Sequence, residues 1–208
     1  MSADPRSILV ADARRFYEQG WMVGTAGNLS ARQPDGSFWI TASGRDKGQL
    51  STEDFIRIAP DGSVAEQPHP TARPSNETCI HEAIYQLFPE AQACYHVHSV
   101  PANLVSRLTT GDRIALPPLE MIKGLGIWEE NPTVHLPILA NHLQVPRIAA
   151  EIRDRFSQEA PEVPALLIRD HGITIWAPAI AAARHYVEVM EYIFRFQVAA
   201  QQTPGLVW

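Results

Sequence analysis

Residues 94–99 read CYHVHS, two histidines one position apart inside an apolar run. In an extended strand alternate side chains share a face, so His96 and His98 project side by side while Tyr95 and Val97 point the other way. That geometry offers two metal ligands together, and it equally suits a half-buried polar pair on a strand. The segments on either side decide what kind of sheet this strand enters.

Just upstream, 76–88 places Ile80, Ile84, Leu87 and Phe88 on one helical stripe, with Ser75 as candidate N-cap and Pro89 beyond its end. Just downstream, Ser99 can cap a helix over 100–109. Farther out, NLSAR and SFWIT flank a Pro34-Asp35-Gly36 turn, and FIRIA and SVAEQ flank Asp61-Gly62, each pair reading as an antiparallel hairpin. Asp4-Pro5 opens a first helix in which Leu9, Ala13 and Phe16 recur at helical spacing up to Gly20. Toward the C-terminus, 146–156 is an amphipathic helix opened by Pro146, and ALLIRDHGITIWA (165–177) reads as strand, turn, strand. The last helix, 178–201, carries Ile180, Ala183, Val187, Met190, Phe194 and Val198 on a core-facing stripe. No repeat or linker divides the chain, so 1–208 reads as one domain. Early hairpins, interspersed helices and no regular βαβ alternation predict an α/β fold with a largely antiparallel sheet covered by helices.

Composition narrows the function. At 208 residues, 45% hydrophobic and 19% charged, the chain is an ordinary globular length able to bury a core without staples. A formal net charge of −6 without a Lys/Arg cluster argues against nucleic acid or a membrane surface as partner, which leaves small molecules. No apolar stretch is long enough to span a bilayer, and the N-terminus lacks signal-peptide order, which predicts a cytoplasmic location. Cys79 and Cys94 form no Cys-x-x-Cys and suggest neither a disulfide nor a thiolate zinc site.

A catalytic zinc takes three protein ligands and keeps one position open, so the His-x-His pair needs a partner. His171 is the candidate: in Asp170-His171-Gly172 a turn lifts a side chain off a strand end, and Gly172 permits close backbone approach. A mere turn residue is the alternative. His69, His81, His135, His142 and His185 read as surface or packing residues. Two glycine-bearing segments, GTAGNLS (24–30) and TASGRDKG (41–48), suit an anion, because open backbone N–H groups and the side chains of Asn28, Ser30, Thr41 and Ser43 can form a nest for phosphate oxygens. Arg45 and Lys47 can add charge or lie solvated beside Asp46. Glu77 stands in the first turn of a helix, where the macrodipole favours a carboxylate. Glu120, in the apolar and Gly-rich LPPLEMIKGLGIW, lacks an obvious solvated face and is expected to have a raised pKa useful for proton transfer, unless Lys123 pairs with it at i+3.

Taken in order, GNLS, TASG, PSNET, HVHS and DHG resemble the class II aldolase/adducin-type family, and LEMIKG with NPTVHLPI resembles its methylthioribulose-1-phosphate dehydratase branch. The resemblance covers essentially the whole chain. It implies a three-layer α/β/α fold with a central, mainly antiparallel sheet, and a homotetramer with sites near subunit interfaces. It implies one Zn2+ per subunit on His96, His98 and His171, and a phosphorylated ketose whose phosphate is held by Asn28, Ser43, Gly44, Ser75 and Asn76. Glu77 stands where the sugar-phosphate aldolases place a catalytic glutamate, a position that varies in the dehydratase branch. Glu120 replaces the aldolases' Tyr, which suits proton movement in a β-elimination better than carbon–carbon cleavage. The other readings are a zinc-dependent aldolase or 4-epimerase on fuculose- or ribulose-type phosphates, and a non-catalytic adducin-like module, which would have lost its metal ligands.

Overall fold

The computed structural model describes residues 4–203. Nine strands form one sheet: β1 Asn28–Arg32, β2 Phe38–Thr41, β3 Phe55–Ile58, β4 Val64–Glu66, β5 Ala93–Val97, β6 Arg113–Leu116, β7 Val134–Leu139, β8 Ala165–Ile168 and β9 Gly172–Ala177. Their order across the sheet is β4-β3-β2-β1-β5-β9-β8-β7-β6. Every neighbouring pair is antiparallel except β7 with β8. The two predicted hairpins are β1–β2 and β3–β4, and the strand of the His-x-His pair, β5, lies at the centre.

Among the described residues five α-helices cover the two faces: α1 Pro5–Glu18, α2 Thr78–Leu87, α3 Val100–Ser106, α4 Val145–Gln158 and α5 Ile180–Gln201. Strand alternation feeds two separate cores. Leu29, Tyr95, Val97, Ile173 and Ile175 pack with α1, α3 and α5, while Ile40, Ile56, Cys94, Leu166 and Trp176 pack with α2 and α4. The result is the expected three-layer α/β/α arrangement. Each fully buried aliphatic or aromatic side chain contributes about 1.5–3 kcal/mol, so the two cores together outweigh the polar row described next. Among the described helices none is long and apolar enough to cross a membrane.

Local chemistry accounts for the helix starts. Asp4 Oδ1 accepts from the Arg6 N–H at 3.0 Å with Pro5 in the first turn, and Ser99 Oγ accepts from the Ala102 N–H at 3.0 Å to open α3. The predicted cap at Ser75 is not formed: α2 begins at Thr78, and its N-cap position is Glu77, without a side-chain cap bond. The Ser75 oxygen accepts both from the Asn28 side chain at 3.1 Å and from the Glu77 N–H at 3.3 Å, a turn bond one step ahead of the helix. The segment around His135 forms a further strand, β7, which runs through Pro137. Pro137 lies opposite Arg113 at the end of the β6 ladder, where the missing N–H interrupts little pairing.

Register sets up the site. Asn28 pairs with His96 across β1 and β5, and His96 with Thr174 across β5 and β9, so three polar side chains line up on the α2 side of the sheet. Unpaired, such a row would cost several kcal/mol in the interior.

Candidate functional site

The β8–β9 turn brings the third histidine to that row. Asp170 adopts a left-handed φ of 54°, and its N–H donates to Ser106 Oγ at 3.0 Å. The Arg169 guanidinium reaches the carbonyls of Ser106, Thr109 and Gly111 and pins the turn to the end of α3. Gly172 then permits the tightest approach in the site: a Cβ there would stand 2.2 Å from the Val97 carbonyl oxygen. His171 is thereby laid against the end of β5.

The three imidazoles converge tip to tip. His98 Nε2 lies 2.8 Å from His96 Nε2, which lies 3.4 Å from His171 Nε2. Glu77, delivered from the start of α2, places Oε1 at 2.8 Å from His171 Nε2 and 3.5 Å from His96 Nε2. One ligand atom from each of the four residues falls within 4.8 Å of the others. Three ring nitrogens and a carboxylate oxygen directed at one point are a donor set suited to a cation. The partner of His96 agrees: Thr174 Oγ1 stands 2.9 Å from Nδ1, where it can take the Nδ1 proton and leave the Nε2 lone pair facing the cluster. Three imidazoles and a carboxylate fit a divalent ion of the zinc type.

Electrostatics within the cluster are consistent. Burial and the neighbouring His96 and His171 push the His98 pKa down to about 3, the neutral state a ligand needs. Burial works to raise the Glu77 carboxyl, but the charges and hydrogen bonds of His96 and His171 outweigh it and hold the group well below the usual carboxylate range. Glu77 is an anion here at any ordinary pH.

Beside this cluster opens a cavity of about 260 Å³, which reaches Glu77 and His98 at one end. Asn28, Ser43, Gly44, Ser75 and Asn76 line it, so every residue expected at the phosphate shares one wall system. The chain holds these loops together deliberately. The buried Lys47 donates from Nζ to the carbonyls of Thr25 and Arg45, at 2.8 and 2.9 Å, and so clamps the 24–30 loop to the 41–48 loop. The Ser43 N–H donates to the Arg73 carbonyl, and Ala42 bridges to Pro74, which draws in Ser75 and Asn76. Burial lowers the Lys47 ammonium to about 8, partly offset by Glu77 and Asp46, and it is a cation lining the cavity.

Glu120 does not join these residues on its own chain. Its carboxylate side chain is 83% exposed and pairs with Lys123 at 2.7 Å, the i+3 alternative. The short 3-10 helix Glu120–Leu125 turns Ile122 and Leu125 into the core and so points Glu120 outward, which removes the expected apolar surroundings. Trp128, on the same connection, is 75% exposed. Of the five histidines set aside, His135 pairs with Glu162 at 3.3 Å, whereas His81 is fully buried and hydrogen-bonded to Asn28 and Ser30. The role of His81 was missed because a helical spacing shows burial but not a partner on a distant strand.

Known proteins resemble this chain in sequence and in fold. The model of the Class II Aldolase and Adducin N-terminal domain family matches residues 8–198. A methylthioribulose-1-phosphate dehydratase of Microcystis aeruginosa is 61% identical over 200 residues, covering 96% of this chain and 98% of that one. A second protein of that name, from Leptospira biflexa, is 41% identical over 189 residues, covering 86% and 90%. Among solved structures, Escherichia coli YgbL has the same fold, with a TM-score of 0.81 at 22% identity over 98% of this chain and 92% of that one.

Proposed function

The chain belongs to the class II aldolase and adducin N-terminal domain family, and on that premise we propose that it is a zinc-dependent hydro-lyase of methionine salvage. It converts 5-methylthioribulose 1-phosphate to 2,3-diketo-5-methylthiopentyl 1-phosphate, and works in the cytoplasm as a homotetramer. The observation that carries this reading is the meeting of His96, His98, His171 and Glu77 at the mouth of a cavity lined by neutral hydrogen-bonding groups and Lys47.

Asn28, Ser43, Gly44, Ser75 and Asn76 hold the C1 phosphate, with the Lys47 ammonium behind them. This anchors the ketose with its C2 carbonyl and C3 hydroxyl toward the histidines. His96, His98 and His171, with Glu77 beside them, would hold a divalent ion, and that ion would supply Lewis-acid polarisation of the substrate carbonyl. Glu120 takes the C3 proton and returns it to the C4 hydroxyl, which leaves as water; the enol then tautomerises to the diketone. Since Glu120 is exposed on its own chain, it serves the site of a neighbouring subunit, where docking would remove it from water. Glu77 stays ionised throughout and accepts from the Asn28 amide, which holds that side chain in place.

Incubation of the zinc-loaded protein with methylthioribulose 1-phosphate and, separately, fuculose 1-phosphate tests the assignment. The diketone is expected from the first and nothing from the second. Aldol-cleavage fragments without diketone would reject the dehydratase reading.

A further inference from the structure

A line of buried side chains runs from the site into the α2 core, and its proton order is fixed by chemistry. Asn28 Oδ1 can only accept, and it faces Nε2 of His81, so that nitrogen carries the hydrogen. His81 is wholly buried, and burial together with the nearby His96 pushes its pKa down to about 3, so the ring is neutral. Nδ1 is therefore bare and accepts from Ser30 Oγ at 2.7 Å, the shorter of that hydroxyl's two acceptor contacts, the other being the Cys94 carbonyl at 3.2 Å. The Ser30 oxygen in turn accepts from the Tyr85 hydroxyl at 2.7 Å. At the outer end the Asn28 amide gives one N–H to Glu77 Oε2 and the other to Ser75 Oγ.

Reversing the Asn28 amide would set its carbonyl against the Glu77 carboxylate and its NH2 against the His81 N–H, two repulsive contacts in a buried place. We propose that His81 is a positioning residue: as a fixed Nε2–H donor it locks Asn28 so that its two N–H groups go to Glu77 and to Ser75 Oγ, which leaves the Ser75 hydroxyl hydrogen free to turn to the substrate phosphate in the cavity. The part played by phosphate rests on the function proposed above; the amide lock on Glu77 does not.

The test combines a spectrum with a binding measurement on the zinc-loaded protein. Nitrogen-15 chemical shifts of the histidines should show His81 as the Nε2–H tautomer, and a Nδ1–H ring overturns the proposal. His81→Leu, which has no donor, should weaken binding of inorganic phosphate by about tenfold and raise KM for methylthioribulose 1-phosphate more than it lowers kcat, the size expected for one buried hydrogen bond. His81→Gln carries an N–H at similar reach and should restore phosphate affinity to within about threefold, again on the scale of a single hydrogen bond. Equal phosphate affinity in the Leu and Gln variants refutes the lock. Should His81→Leu not fold, Ser30→Ala replaces it: Asn28 Oδ1, itself held by Glu77, should keep the hydrogen on Nε2 and phosphate affinity within about threefold of wild type, and a shift to the Nδ1–H ring overturns the idea. If the tautomer and phosphate results hold while wild type does not turn over methylthioribulose 1-phosphate, the function fails and the lock on Asn28 stands.

Discussion

Gly172→Ala probes the contact on which the site is built. Gly172 opens β9 immediately after His171, and an added Cβ would lie 2.2 Å from Val97 O and 3.3 Å from His98 Cα. A carbon normally keeps about 3.3 Å or more from a carbonyl oxygen, so β9 and β5 must part locally by about 1 Å. Both sides of the clash are backbone within a central strand pair, so no side chain can yield. Overpacking of this kind costs about 1–3 kcal/mol, and the rigid contact puts this case near the upper end. For a chain of this length that corresponds to a melting temperature about 6–12 °C lower. The same displacement moves His171 against His98, and since metal ligands tolerate only about ±0.2 Å, zinc affinity should fall about 10–100-fold. Scanning calorimetry with and without zinc, together with chelator competition, measures both effects. A variant that melts within about 1 °C of wild type and binds zinc as tightly would refute the packing argument.

Glu120→Gln should lower kcat by about 10²–10⁴ while leaving zinc content unchanged, because the isosteric amide keeps the shape of the side chain and loses only its proton transfer; full turnover would remove Glu120 from the mechanism. Asn28→Asp places a carboxylate against Glu77 and the phosphate, and should raise KM by about tenfold or more in steady-state kinetics, the cost of one lost charge-assisted hydrogen bond. Glu191, buried on α5, has its carboxyl raised to about 7 from the ordinary 4.5, by burial that outweighs Ser99 and Arg195. The folded state thus holds this proton more tightly than the unfolded chain, and its stabilising share is full below the ordinary value and lost as pH rises from there to about 7. Urea unfolding of wild type and Glu191→Gln should diverge across that window by up to about 3 kcal/mol, with the variant losing less as pH rises; parallel curves would contradict the assignment.

The periodic parts of the chain were legible because their signals are local. Alternation at 94–98, the two tight turns and the stripes of α1, α4 and α5 each report which face is buried, and together they gave the antiparallel sheet and its helical covering. Asp170-His171-Gly172 was legible as a close approach because a glycine at a strand end has few other purposes. What failed depends on partners distant in sequence. Ser75 looked like a helix cap, yet its oxygen is shared between the Glu77 N–H in a turn and the distant Asn28 amide, and α2 starts at Thr78. Glu77 read first as a helix-start charge, since nothing near it in sequence reveals that His96 and His171 meet it. Lys47, weighed against solvation beside Asp46, is buried as a clamp between two loops. Glu120 shows the reverse error: apolar neighbours in sequence do not bury a side chain when a 3-10 helix turns them inward and leaves the carboxylate out.

The account depends on three imidazoles and one carboxylate sharing a single cation. Zinc X-ray absorption on protein loaded to one equivalent tests this directly. It should show imidazole scattering from three rings with zinc–nitrogen distances of about 2.0–2.1 Å, lost together with the bound metal in His98→Ala. A sulfur shell at about 2.3 Å, or an unaltered spectrum and full zinc content in that variant, would place the metal elsewhere and contradict the account.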